Sequence, residues 1–260
     1  MTAAAIWWAE PMGDRQRVLI LGGTAEAVDL ANRAAEQSDV SYSLAGRTRD
    51  PALPRNVSIR KGGFGGADAM ADWMRENGTD AVIDATHPFA AQIARNALTA
   101  CTTAGVPRLK LRRVAWQTQP DDTWLSAADV TEAASLLSST GRRAFLSVGR
   151  QEISAFAPVE NTALVARSID PPDDTNTLPA ATFITGRGPF SVSDEIALLR
   201  HHDIDVLVSK NAGGDATYAK IAAARELGIT VIMIERPPVP PGEITESVET
   251  ALAWLNALSA

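Results

Sequence analysis

Arg17-Val-Leu-Ile-Leu-Gly-Gly-Thr-Ala-Glu-Ala-Val-Asp-Leu30 carries the reading of the fold. Residues 18–21 form a short apolar run, the mark of a strand covered on both faces. Gly22-Gly23-Thr24 ends that run, and residues 25–37 then set Val28, Leu30, Ala31 and Ala34 on helical spacing. A strand passing through a glycine turn straight into a helix opens a βαβ unit. Outward from it the pattern repeats: strands are expected at 41–44, 57–59, 81–84 and 106–111, with helices at 67–77 and 91–104. The second half follows suit, with strands at 144–148, 163–169, 182–185, 206–208 and 231–234 and helices at 128–139, 193–202, 217–227 and 244–258. Such alternation implies parallel sheets joined by right-handed crossovers. The boundary is expected between 113 and 122. Residues 1–16 read as a tail, with the Trp7–Trp8 pair as a staple to the body, 17–115 as the first lobe and 116–260 as the second. The fold class is therefore α/β: two Rossmann-like lobes, each with a parallel sheet, facing across an interdomain cleft.

Composition narrows the function. The chain has 260 residues, 45% of them hydrophobic and 21% charged, an ordinary globular balance. A single cysteine, Cys101, excludes a disulfide framework and a cysteine-built zinc site. The longest apolar runs are strand-length, and Glu10 and Asp14 precede any of them, so neither a membrane span nor a signal peptide is expected and the expected location is cytoplasmic. Residues 1–116 hold 14 Lys/Arg and 12 Asp/Glu, net +2, whereas 117–260 hold 10 and 19, net −9. That balance argues against a nucleic-acid partner but leaves room for a small anionic ligand at a locally positive site. The assembly expected is a monomer. No G-x-S-x-G, Walker A or H-E-x-x-H occurs, so those hydrolase classes have no support.

In parallel sheets ligands bind beyond the C-terminal strand ends, and the unusual residues lie there. Gly22-Gly23-Thr24-Ala25-Glu26 suits a phosphate-binding turn, with free N–H groups and the helix dipole facing an anion; it also suits a plain tight turn. It departs from G-x-G-x-x-G in having Thr24 and Ala27, and Glu26 must either turn away from a diphosphate or hold a nearby donor. After the second strand, Arg47 stands where a ribose-binding acid is usual; a guanidinium there matches a 2′-phosphate and favours NADP over NAD. Gly62-Gly63-Phe64-Gly65-Gly66 lets backbone approach a ligand, or is a surface connection. Thr86-His87-Pro88 lies where a nicotinamide would be expected; His87 either donates to a ligand or fixes its own loop. In the acidic second half Arg150, Arg187, Lys210 and Arg236 cap expected strands, a placement that suggests an anionic substrate. Lys210-Asn211-Ala212-Gly213-Gly214, followed by Thr217 and Lys220, has the form of an anion-binding turn.

The ordered set Leu19-Ile-Leu-Gly-Gly-Thr-Ala-Glu26, Asp84-Ala-Thr-His-Pro-Phe-Ala90, Val148-Gly-Arg150, Thr185-Gly-Arg-Gly-Pro-Phe190, Ser209-Lys-Asn-Ala-Gly-Gly214 and Met233-Ile-Glu-Arg-Pro237 resembles the precorrin-6A reductases, the CobK/CbiJ family of cobalamin biosynthesis. The resemblance implies reduction of a macrocyclic double bond of precorrin-6A by NADPH, giving precorrin-6B. It implies a cofactor site at Gly22, Gly23, Thr24, Ala25, Glu26, Arg47, Gly63, Phe64, Thr86, His87 and Pro88. Substrate carboxylates would meet Arg150, Arg187, Gly188, Lys210, Asn211, Gly213, Gly214, Thr217, Lys220 and Arg236. Lys210, His87, Tyr218 and water are the candidate proton donors. An NADP-dependent reductase of another anion, a non-catalytic dinucleotide-sensing module and an S-adenosylmethionine methyltransferase are the rival readings.

Overall fold

The computed structural model describes residues 15–46, 50–169, 178 and 181–259. Most of the expected tail, and Arg47, lie outside the described residues. Of the tail, Arg15 is seen to donate to the Ala35 carbonyl at 2.8 Å.

The first body contains β1 (Arg17–Leu21), α1 (Ala25–Ala34), β2 (Asp39–Leu44), β3 (Ser58–Lys61), α2 (Ala67–Glu76), β4 (Ala81–Asp84), α3 (Ala91–Ala104) and β5 (Arg108–Leu111). The second contains β6 (Trp124–Ala127), α4 (Val130–Thr140), β7 (Arg143–Ser147), a 3-10 helix (Arg150–Phe156), β8 (Ala163–Ser168), β9 (Thr182–Thr185), α5 (Val192–His201), β10 (Val206–Lys210), α6 (Ala219–Glu226) and β11 (Thr230–Ile234). The chain then ends in β12 (Glu243–Thr245) and α7 (Val248–Leu258). Among the described residues no helix is long and apolar enough to cross a membrane.

Both sheets are parallel, in the orders β12-β5-β4-β1-β2-β3 and β6-β11-β10-β7-β8-β9. The two orders correspond strand for strand, and each reverses direction beside its central strand, between β1 and β4 and between β7 and β10. Each sheet also takes its edge strand from the segment leaving the other. β6 follows β5 but pairs with β11, and β12 follows β11 but pairs with β5. This corrects the expected second lobe of 116–260, because β12 and α7 return to the first sheet, where Val248, Ala251 and Leu255 join its core. The return was hidden because Glu243-Ile244-Thr245 is three residues long and shows no strand period. The expected helix at 244 begins at Val248, where Ser247 accepts the Thr250 N–H as its cap.

Sequence pattern explains the core. β1 is buried from Val18 onward, as a central strand covered on both faces must be. α1 buries Ala27, Leu30, Ala31 and Ala34, one helical stripe. α3 stops at Gly105, whose φ of 71° is the left-handed cap conformation. Within this apolar setting Asp84 and Lys110, paired in register across β4 and β5, form a buried ion pair of 2.9 Å. Asp84→Leu strands the Lys110 ammonium and is expected to cost about 3–5 kcal/mol, whereas Asp84→Leu with Lys110→Met should recover part of it. Urea unfolding midpoints check this; a double variant no more stable than the single would contradict it.

Candidate active site

The C-terminal strand ends of the two sheets face each other, and the residues between them come from both bodies and both crossovers. In the first turn, a Cβ on Gly22 would lie 2.1 Å from the Tyr42 ring, so glycine is required there by packing. The Tyr42 hydroxyl accepts the Gly23 N–H at 3.0 Å. Thr24 accepts the Ala27 N–H as helix cap and donates to the Ala85 carbonyl at 3.0 Å, tying the β1 and β4 turns together. Ala25 follows it in the first turn of α1. Glu26 holds a nearby donor: both its oxygens accept from Arg113, at 3.1 and 3.2 Å.

After β4 the Thr86 hydroxyl donates to Asp84 at 2.6 Å and accepts from Lys110 at 3.2 Å, so it is engaged within the protein. His87 Nδ1 accepts the Phe89 N–H at 3.3 Å, which leaves the ring proton on Nε2. Burial, reinforced by Arg113, Lys210, Arg236 and Lys110, pushes its pKa down to about 3, so the imidazole is neutral near pH 7. Pro88 follows it beside Thr24, Glu26 and Arg113 around a small cavity between the turns. Phe89 packs against the core of the second body, and the Lys210 ammonium stands 4.9 Å from its ring centroid. Lys210 is ion-paired with Glu152 of the 3-10 helix.

Several expected ligand residues prove to be structural. Arg236 donates to the carbonyls of Asn211, Arg113, Val114 and Ala212 at 2.8–3.2 Å. Its guanidinium is spent on the crossovers, which corrects its assignment to substrate. A Cβ on Gly213 would lie 2.1 Å from both Arg236 and the Val114 carbonyl, so this glycine makes room for the arginine in place of an anion. The Asn211 amide pairs both ways with the Trp116 backbone, and the Trp116 indole donates to Gly214. Lys220 is buried; its Nζ donates to the Thr217 carbonyl at 2.9 Å and lies 5.2 Å from the Trp116 ring centroid. Burial pushes its pKa down to about 8, and it supports the turn from behind. Tyr218 accepts from Arg225 at 2.6 Å and from Gln119 at 3.0 Å, which places its hydroxyl outside the His87–Lys210 group. Asn211, Gly213, Gly214, Lys220 and Tyr218, expected at the substrate, thus have partners within the protein, and Thr217 gives its carbonyl to Lys220.

At the periphery, Arg187 and Gly188 lie exposed in a loop anchored by Phe190, which stacks 4.0 Å from Arg167. Arg167 in turn is paired with buried Glu195 at 2.6 Å. Arg150 opens the 3-10 helix that carries Glu152. Phe64, beside Gly63, stacks on Arg60 at 3.6 Å and meets Trp73 edge-on, so its ring packs inward against α2. Arg113, Glu152, Lys110 and Arg60 were not singled out from sequence. Glu152 alone had a readable signal, the three-residue spacing from Gly149 that lets a carboxylate fold back on the turn. Among the described residues no cluster could hold a metal ion.

Known proteins share this arrangement across nearly the whole chain. The family model described as precorrin-6x reductase CbiJ/CobK matches residues 17–256. A precorrin-6A reductase of Rhodococcus erythropolis is 51% identical over 246 residues, covering 94% of this chain and 98% of that protein. A cobalt-precorrin-6A reductase of Priestia megaterium is 28% identical, covering 89% and 95%. The solved structure of CobK precorrin-6A reductase superposes with a TM-score of 0.88 at 39% identity, covering 94% of this chain and 98% of that one. The chain belongs to the precorrin-6x reductase CbiJ/CobK family.

Proposed function

We propose that the protein reduces precorrin-6A to precorrin-6B, with NADPH as the reductant. One observation carries this reading: Arg113 bridges Glu26 of the first body and Ala212 of the second, and the Lys210 ammonium stands 4.9 Å from the Phe89 ring of the first body, so cations of both bodies meet beside the Thr86-His87-Pro88 turn. Such a field suits a macrocycle bearing many acetate and propionate groups. The cobalt-free substrate is favoured because the relatives named for precorrin-6A are 40–51% identical, against 28% for the cobalt-precorrin-6A reductase of Priestia megaterium.

The first body fits a dinucleotide. Its strand order reverses between β1 and β4, and the N-terminus of α1 opens onto that crevice with Glu26 neutralised by Arg113. When bound, the nicotinamide supplies a hydride to one carbon of the substrate double bond. The neighbouring atom then needs a proton. His87 is neutral and serves as a hydrogen-bond donor through Nε2, not as an acid. Tyr218 faces Arg225. Lys210 remains: its ammonium gives up the proton at the substrate atom and regains one from solvent. The Phe89 ring beneath it excludes water from that side. Arg150 and Arg187 stand at the rim for substrate carboxylates, each contact worth about 1.5–3 kcal/mol.

Purified protein should oxidise NADPH with precorrin-6A and be slower with cobalt-precorrin-6A; oxidation only with simple enones would refute the assignment. Lys210→Met should lower kcat about 100-fold or more. Because His87 is already neutral above about pH 4, the rate should show no inflection near pH 6.5; one that vanished in His87→Gln would contradict its assigned state. Arg47, assigned to the 2′-phosphate from its sequence position alone, gives a further test. Arg47→Asp should raise KM for NADPH about 10–100-fold and leave KM for NADH nearly unchanged; equal effects would sink that role.

A further inference from the structure

We infer that Glu152 is the positioning residue for Lys210, a role that rests on the reading of Lys210 as the proton-delivering group. A carboxylate in a cleft for a polyacid is at first sight misplaced, since it repels the ligand. Its geometry accounts for it. The 3-10 helix begins immediately after the turn that follows β7, and the Glu152 carboxylate folds back to accept the Gly149 N–H at 3.0 Å. The Glu152 N–H donates to the Gly149 carbonyl at 2.8 Å, so the unit is closed on both sides. Held in this way, the carboxylate pairs with the Lys210 ammonium, at the end of β10, across the point where the second sheet reverses its order.

The remaining neighbours leave the ammonium few other positions. Phe89 from the first body lies under it at 4.9 Å, and the neutral His87 occupies the same turn. Arg113 and Arg236 are themselves engaged, with Glu26 and with the crossover carbonyls, and offer the ammonium no acceptor. Lys210 has a flexible four-carbon stem, and such a side chain delivers a proton reliably only when one rotamer is held. Glu152 supplies that hold through its ion pair with the ammonium. In the second sheet the turn corresponding to Gly22-Gly23-Thr24 is thus occupied by a side chain of the protein itself.

The test compares Glu152→Gln in the wild-type and Lys210→Met backgrounds, with precorrin-6A and NADPH as probes. In the wild-type background Glu152→Gln should lower kcat about 10-fold and change KM for precorrin-6A less. In the Lys210→Met background the same change should alter kcat less than about twofold, because Glu152 acts through Lys210. An equal loss in both backgrounds, or an unchanged kcat, would overturn the inference. Should Lys210→Met itself retain full kcat, the fault lies with the underlying reading of Lys210.

Discussion

The guanidinium of Arg236 holds the two sheets in the relation that makes a site. Chain leaves the first body after β5 and returns after β11, and Arg236 binds the outgoing strand of backbone at Arg113 and Val114 while binding the turn after β10 at Asn211 and Ala212. The carbonyls of Asn211, Arg113 and Val114, in irregular backbone, would otherwise need partners, and a charged donor satisfies them at distances no neutral side chain could span together. Arg113 continues the seam, donating to Ala212 on one side and to Glu26 on the other. The exchanged edge strands act in the same direction: neither body can part from the other without losing a strand from its own sheet.

The cleft that results is positive but largely pre-paired. Lys110 has Asp84, Arg113 has Glu26, and Lys210 has Glu152. Such pairing gives each cation a charged hydrogen-bond partner and holds it in place. It also explains why His87 is the group that yields. It has no carboxylate partner among the described residues, and the surrounding charge and its own burial leave it neutral. A neutral imidazole with a fixed tautomer is a directional donor, which suits orienting a ligand better than protonating it.

Particular residues show how far the sequence could be followed. The strand, turn and helix of residues 17–34 were legible because apolar period and glycine placement are local properties. So was the position of Lys210 at the end of a strand. The Gly213-Gly214 pair has the form of a cradle for an anion, but glycine is needed whenever anything approaches the backbone, and here that is Arg236 at Gly213 and Arg113 at Gly214. Tyr218 and Lys220 carried the right chemistry, yet their partners, Arg225 and Thr217, direct them away from the cleft. Arg113, at the expected domain boundary, carries no local signal of its role because its partners Glu26 and Ala212 lie far away along the chain.

By itself the amino-acid order determined the class of fold and the count of sheets, because burial period, turn residues and crossover handedness are set within one or two elements of chain. Only the tertiary structure decided which of the rim residues meet. Edge-strand exchange brings Glu243-Ile244-Thr245 to β5, and contacts across the seam assign each cation either to a carbonyl, to a counter-ion or to the open cleft. Those assignments depend on distances between residues remote in sequence, and no local pattern records them.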